Sequence, residues 1–331
     1  MRFARVLSVF AVGCTACLVH AKTLTVAADG GGDFKTVQEA VAAAPEKGTE
    51  PTVIHLKPGT YEGPLVVPKT KPKLTLEGEG ADKTIITYGR NVQDPVPPGI
   101  DKFNPGVQIL ADDFRAENLT FRNTSGDHGQ ALALRVDGDR EVFKNCRLLG
   151  WQDTLMVNNG RQYFKDCYIE GRVDFIYGSA TAVFDGCEIH SKNGGHVTAA
   201  STPQDQPFGF VFLNCKLTGD ATPWNAASTN PATTEPARKP NKIADLGRPW
   251  RPYASVTYIN CEMGDHIKPE GWDNWRKAEN EKTARYAEYN STGPGAAPQK
   301  RAAWSKQLTK EEAEKITIES VLSGKDGWKP E

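Results

Sequence analysis

Beyond its first eighteen residues the sequence has no long apolar run. No stretch approaches the roughly 20 apolar residues that a membrane helix needs, and the early run from Val6 to Leu18 is itself too short. Charge of neither sign dominates: 40 basic residues stand against 41 acidic ones, which excludes the basic footprint of a nucleic-acid binder. The six histidines form no HExxH or other metal-ligand spacing, so zinc hydrolysis is not indicated. No GxSxG elbow occurs, and "YGSAT" at 177–181 is only a partial echo of one, so a serine-hydrolase mechanism has no support. "ADGGGDF" at 28–34 is glycine-rich but does not follow a strand in a βαβ unit; it reads as a turn before a helix rather than a phosphate cradle.

What is present begins with a leader. Arg2 and Arg5 precede the acid-free apolar run, and "VHA" ends on a small residue, the pattern of a secretory signal peptide over residues 1–21 cleaved after Ala21. A lipid-anchoring site at Cys14 is the weaker alternative. Without residues 1–21 the chain keeps 38 basic and 41 acidic residues, a formal charge of −3. Composition is that of a soluble globular protein, and no linker divides residues 22–331, so one domain is expected, secreted or periplasmic.

The organising feature is a repeat. "VFKNCRLLG" (142–150), "YFKDCYIEG" (163–171), "VFDGCEIHS" (183–191), "VFLNCKLTG" (211–219) and "TYINCEMGD" (257–265) each place an aromatic three residues before a cysteine and an apolar residue two after it. "RAENLTFRN" at 115–123 is a sixth copy, with Leu119 in the cysteine slot. The cysteines are separated by 21, 20, 28 and 46 residues. A unit of about 20 residues with short β-rich pieces predicts an all-β fold, a parallel β-helix, with longer intervals marking insertions such as 220–244. Stack ends need covers. "TVQEAVAAAP" predicts one capping helix with a Thr36/Glu39 capping box, and "TKEEAEKITIESVL" from Thr309 predicts a second at the other end. The five cysteines of the mature chain share one phase and read as buried thiols, although a bridge between adjacent coils is sterically possible and Cys167–Cys187 is the best pair for it.

Phase also gathers a set of polar residues. Asp153 lies seven residues after Cys146 and Asp174 seven after Cys167, so both occupy one column on neighbouring coils. Gln130 lies 22 residues before Gln152, one coil earlier. Arg248 lies 13 residues before Cys261, as Asp174 does before Cys187, which assigns the guanidinium to the Asp174 column about two rungs along. Two carboxylates about one rung (~5 Å) apart cannot easily both ionise. Arg248 would keep Asp174 charged, leaving the proton on Asp153. That division suits acyl transfer: Asp174 as nucleophile, Gln130 and Gln152 hydrogen-bonding the oxyanion, Asp153 protonating the leaving alcohol.

These motifs also resemble a family. "GDFKTVQEAV", "PGTYEG", "GQALALR", "GWQDTL", "VDFIYG", "LGRPWRPYA" and "YAEYNSTGPGA" occur in the order seen in the pectin methylesterases (pectinesterases) of bacterial type, over nearly all of the mature chain. The resemblance implies a right-handed parallel β-helix and hydrolysis of the methyl esters of polygalacturonate, with no metal or other cofactor. It carries the oxyanion glutamines onto Gln130 and Gln152, the acid/base onto Asp153, the nucleophile onto Asp174, the orienting arginine onto Arg248 and a sugar-stacking tryptophan onto Trp250. Tyr177 and Met156 depart from the aromatic residues common in the family and should line the cleft, as should Val173, Thr198 and Trp272. For Phe208, Tyr253 and Trp275 packing is at least as good a reading. The partner implied is methyl-esterified homogalacturonan, met by a monomer with no membrane span.

Three other functions fit part of the pattern. Two close carboxylates would serve a retaining glycosidase, but that chemistry has no evident use for paired glutamines. A non-catalytic carbohydrate-binding β-helix would keep the scaffold. An esterase or thioesterase on another acyl group would keep the machinery.

Overall fold

The computed structural model describes residues 22–95, 106–220 and 244–330. The leader expected over 1–21, and most of the insertion expected over 220–244, lie outside the described residues. Short parallel strands wind into a right-handed β-helix with three faces. The first face is an eleven-stranded parallel sheet from Lys22–Val26 to Lys306–Gln307. The second and third are joined into one network by the long strands Tyr168–Gly178 and Glu188–Ala200, which run along both.

The repeat seen in the sequence is the turn between the first and second faces. Asn145, Asp166, Gly186, Asn214 and Asn260, each just before a repeat cysteine, have φ between 50° and 62°. Asn, Asp and Gly enter this left-handed region more readily than other residues, and the turn tucks the next side chain inward. The five cysteines are buried free thiols, so the bridge considered between Cys167 and Cys187 is not formed. Each sulfur instead lies near a carbonyl of the preceding coil, as in Cys167 Sγ to Phe143 O at 3.5 Å and Cys187 Sγ to Phe164 O at 3.4 Å. The aromatics three residues earlier form an internal column: Phe143, Phe164, Phe184, Phe212 and Tyr258 stack with centroids 4.4 to 4.8 Å apart. Offset stacking of this kind adds to area burial and helps fix coil register.

The Val37–Ala43 helix has the expected capping box and buries Val37, Ala40 and Val41 against the first coils. The C-terminal expectation needs correction. Two short helices, Lys310–Ala313 and Ile318–Leu322, replace the single one, because Thr317 makes a second capping box with Ser320. They do not close the far end. Ala313, Val321 and Leu322 pack on Val142, Tyr163, Val183 and Val211, outward residues of the first face. Those positions are apolar in successive coils, so the face itself must be covered.

Candidate active site

The expected site residues meet on the third face. Gln130 and Gln152 pair as a parallel bridge on adjacent coils. The strand Leu155–Val157 then pairs with the end of Tyr168–Gly178 at an offset of 21 residues, through Leu155 with Ile176 and Met156 with Tyr177. Asp153 and Asp174 precede these pairs at the same offset, and both are left-handed, with φ of 63° and 52°. Aspartate tolerates this conformation better than most residues, so the backbone turn and the chemistry select the same side chain.

Arg248 reaches Asp174, but not from its column. The outward register on this face runs Gln108, Arg135, Met156, Tyr177, Ala199, Arg248. Arg248 therefore starts level with Tyr177, while Asp174 sits in an irregular stretch between Val173 and Ile176. That irregularity adds residues on one strand and not the other, so a count from the cysteines slips. The side chain leans back and its fork closes on the carboxylate: Nε donates to Oδ1 at 2.8 Å and Nη2 to Oδ2 at 2.7 Å. Gly247, the preceding residue, lets its strand pair closely with the neighbouring one, since a Cβ there would lie 2.0 Å from Thr198 Oγ1.

Asp153 is 4% exposed and Asp174 7%. Burial, then the charge of Asp174, raise the Asp153 pKa from 3.8 to about 7, against hydrogen bonds from Gln130 and Gln152 and the charge of Arg248. Gln130 Nε2 donates to Asp153 Oδ2 at 2.8 Å. Its loop is tied down by Val92 N donating to Gln130 O at 2.9 Å, and by Arg172, whose Nη1 lies 3.2 Å from Asp127 Oδ2. Asp174 is held in a fixed orientation by the Arg248 fork. Asp153, titrating near neutrality, can give or take a proton.

Beside these groups lies an apolar wall of Leu132, Tyr177 and Ala199, packed with Val92, Met156, Trp250 and Trp275. Trp250 meets Tyr177 edge-on at 5.8 Å. Val173 is half-buried, one rung from His196. Two expected lining residues are corrected. Thr198 is fully buried and donates to Leu246 O at 2.9 Å, because it follows Leu134, Leu155 and Ile176 in the inward ladder; its neighbour Ala199 faces out. Trp272 is 4% exposed, lies against the core rings of Tyr258 and Tyr286, and so cannot present a face to a sugar. Trp275, read as packing, lies over the Arg248 guanidinium at 3.8 Å. Among the described residues no group of three or more His, Cys, Asp or Glu side chains is arranged to hold a metal ion.

Residues 23–325 match the family model described as Pectinesterase. The chain belongs to the pectinesterase family. "Pectinesterase 31" of Arabidopsis thaliana is 40% identical over 301 residues, covering 88% of this chain and 89% of its own. "Pectin methylesterase from Carrot" superposes with a TM-score of 0.82 at 36% identity, covering 94% of this chain and 96% of its own. A pectin methylesterase solved in complex with a hexasaccharide matches with a TM-score of 0.76 at 30% identity, covering 94% and 99%. The Arabidopsis thaliana relative and the carrot enzyme, at 40% and 36% identity, are plant pectinesterases, so the narrower "bacterial type" of the resemblance is not what sets this chain apart.

An amide that hydrogen-bonds a developing oxyanion carries a measurable share of the rate, and that is the role the sequence leads one to expect of Gln130. Gln130→Ala should lower kcat roughly 10²-fold. It should also move the Asp153 titration upward, since the lost hydrogen bond holds that pKa down. A kinetic series from pH 5 to 9 reads both; a change confined to KM would make Gln130 a ground-state contact.

Proposed function

We propose that this pectinesterase demethylates methyl-esterified polygalacturonate through an acyl-enzyme on Asp174. The observation that carries the reading is the bidentate Arg248–Asp174 pair beside an Asp153 that titrates near 7. An Asp174 oxygen attacks the ester carbonyl carbon, and the oxyanion takes N–H donors from Gln130 and Gln152. Gln130 has a second amide hydrogen beyond the one given to Asp153. The intermediate collapses as the carbon–methoxy bond breaks, and the Asp153 proton goes to the departing oxygen, releasing methanol. Water then attacks the anhydride, Asp153 takes back a proton, and the bond to Asp174 breaks to free the galacturonate carboxylate. One group serves as acid and then base because its pKa lies near the working pH.

Trp250 and the apolar wall behind it suit the faces of the sugar rings, with Tyr177, Met156 and Val173 as further lining. We further propose that residues 1–21 direct secretion and that the mature chain acts as a monomer. Among the described residues no helix is long and apolar enough to cross a membrane.

The test is methanol release from highly methylated pectin by the purified mature chain without added metal. Methanol without new reducing ends is the expected result. New reducing ends and no methanol would establish glycoside hydrolysis instead. Pectin binding without turnover at any pH would leave only a binding protein.

A further inference from the structure

The loop after Trp272 holds two adjacent residues, Trp275 and Arg276, at φ of 60° and 56°. A bulky side chain in the left-handed region is a genuine outlier, and such strain persists only where surrounding contacts enforce it. Here they do. Trp275 N donates to Asp273 Oδ1 at 2.7 Å, and Asp273 N donates to Gly247 O at 3.1 Å, beside Arg248. Asn274 Nδ2 donates to Glu281 Oε1 at 2.7 Å, and buried Asn280 donates to Asn274 O at 3.0 Å. The loop is thus stitched to the strand that carries the arginine, and its strained residue delivers an indole onto the guanidinium.

We propose that Trp275 is a positioning residue that acts through Arg248. The Arg248 fork is held in plane by Asp174, and the indole caps a face of that plane. The cap keeps a guanidinium that is 21% exposed from swinging toward solvent, and so fixes the orientation of the nucleophilic carboxylate. The indole face against Arg248 is unavailable for sugar stacking. The inference rests on the reading of Asp174 as nucleophile.

Trp275→Gly removes the ring while leaving a residue that adopts the same φ without strain. The expected result is a kcat lowered roughly tenfold, the size of a partly desolvated cation–π contact, with KM within about twofold, beside whatever fall in Tm the lost packing against the apolar wall brings. In an Arg248→Lys background the same substitution should cause little further loss of kcat, because the group it acts through is gone. The Nε–Hε proton resonance of Arg248, assigned by its disappearance in Arg248→Lys, should move when the ring current is removed. A KM rise with kcat unchanged would overturn the proposal in favour of a sugar contact. A lowered Tm with an unmoved Arg248 resonance would make Trp275 a packing residue. If the wild type releases no methanol, the functional reading fails, while the resonance still decides whether the indole lies over the arginine.

Discussion

Asp174→Asn should bring methanol release to background, a loss on the order of 10⁴-fold or more, while the polymer is still bound. An amide has no anionic oxygen with which to attack the ester. The backbone should accept the change, since asparagine tolerates the φ of 52° that Asp174 adopts. The Arg248 fork loses its charge partner, but it is partly exposed and can be solvated, so the cost should appear in chemistry more than in folding. Turnover and thermal unfolding measured on one preparation separate the two. A folded variant with near wild-type turnover would remove Asp174 as the nucleophile and leave the Arg248 pair structural.

Asp153→Asn carries the second large effect, a kcat loss of roughly 10² to 10⁴-fold from the absent proton donor and acceptor. It also has a stability signature whose sign follows from linkage. The folded chain keeps the Asp153 proton up to about pH 7, whereas the group's ordinary value is 3.8. Between those values the folded state binds more protons than the unfolded one, so stability falls as pH rises from about 4 to about 7. The loss is on the order of 4 kcal/mol above both values. Asp153→Asn should flatten this slope and unfold at a higher temperature than wild type at pH 8. Glu141, buried and likewise pushed well above the carboxylate range, leaves a residual slope of the same sign in both proteins. Identical pH dependence of Tm in wild type and variant would show that Asp153 titrates as an ordinary carboxylate.

Much of this site was legible because a β-helix converts sequence period into spatial columns. The cysteine spacing located the coils, and equal offsets placed Asp153 beside Asp174 and Gln130 beside Gln152. Counting failed where strands are irregular. The shifts around Val173 moved Arg248 into the Tyr177 column, although its length still carried the guanidinium to Asp174. Thr198 and Trp272 were misread because a strand alternates its faces: a position one residue off faces the core, and a tryptophan three residues from another can point the opposite way. Trp275 gave no pattern to read, since its place depends on a left-handed backbone fixed by side chains up to six residues away. The C-terminal helices were visible as helices, but what they cover depended on which face of the stack carries outward apolar residues.

The groups proposed for catalysis come from successive coils: Gln130 from one, Gln152 and Asp153 from the next, Asp174 from the one after, and Arg248 two strands farther on. In a solenoid each coil touches only its neighbours, so the interstrand spacing is the ruler that sets the distances between these groups. Lengthening or trimming the stack on either side leaves that ruler intact. Adding or losing one coil between Gln130 and Arg248 would shift a reacting group by a full rung of about 4.8 Å. In this chain the length of the stack is thus free to change at its ends, whereas the number of coils from Gln130 to Arg248 is not.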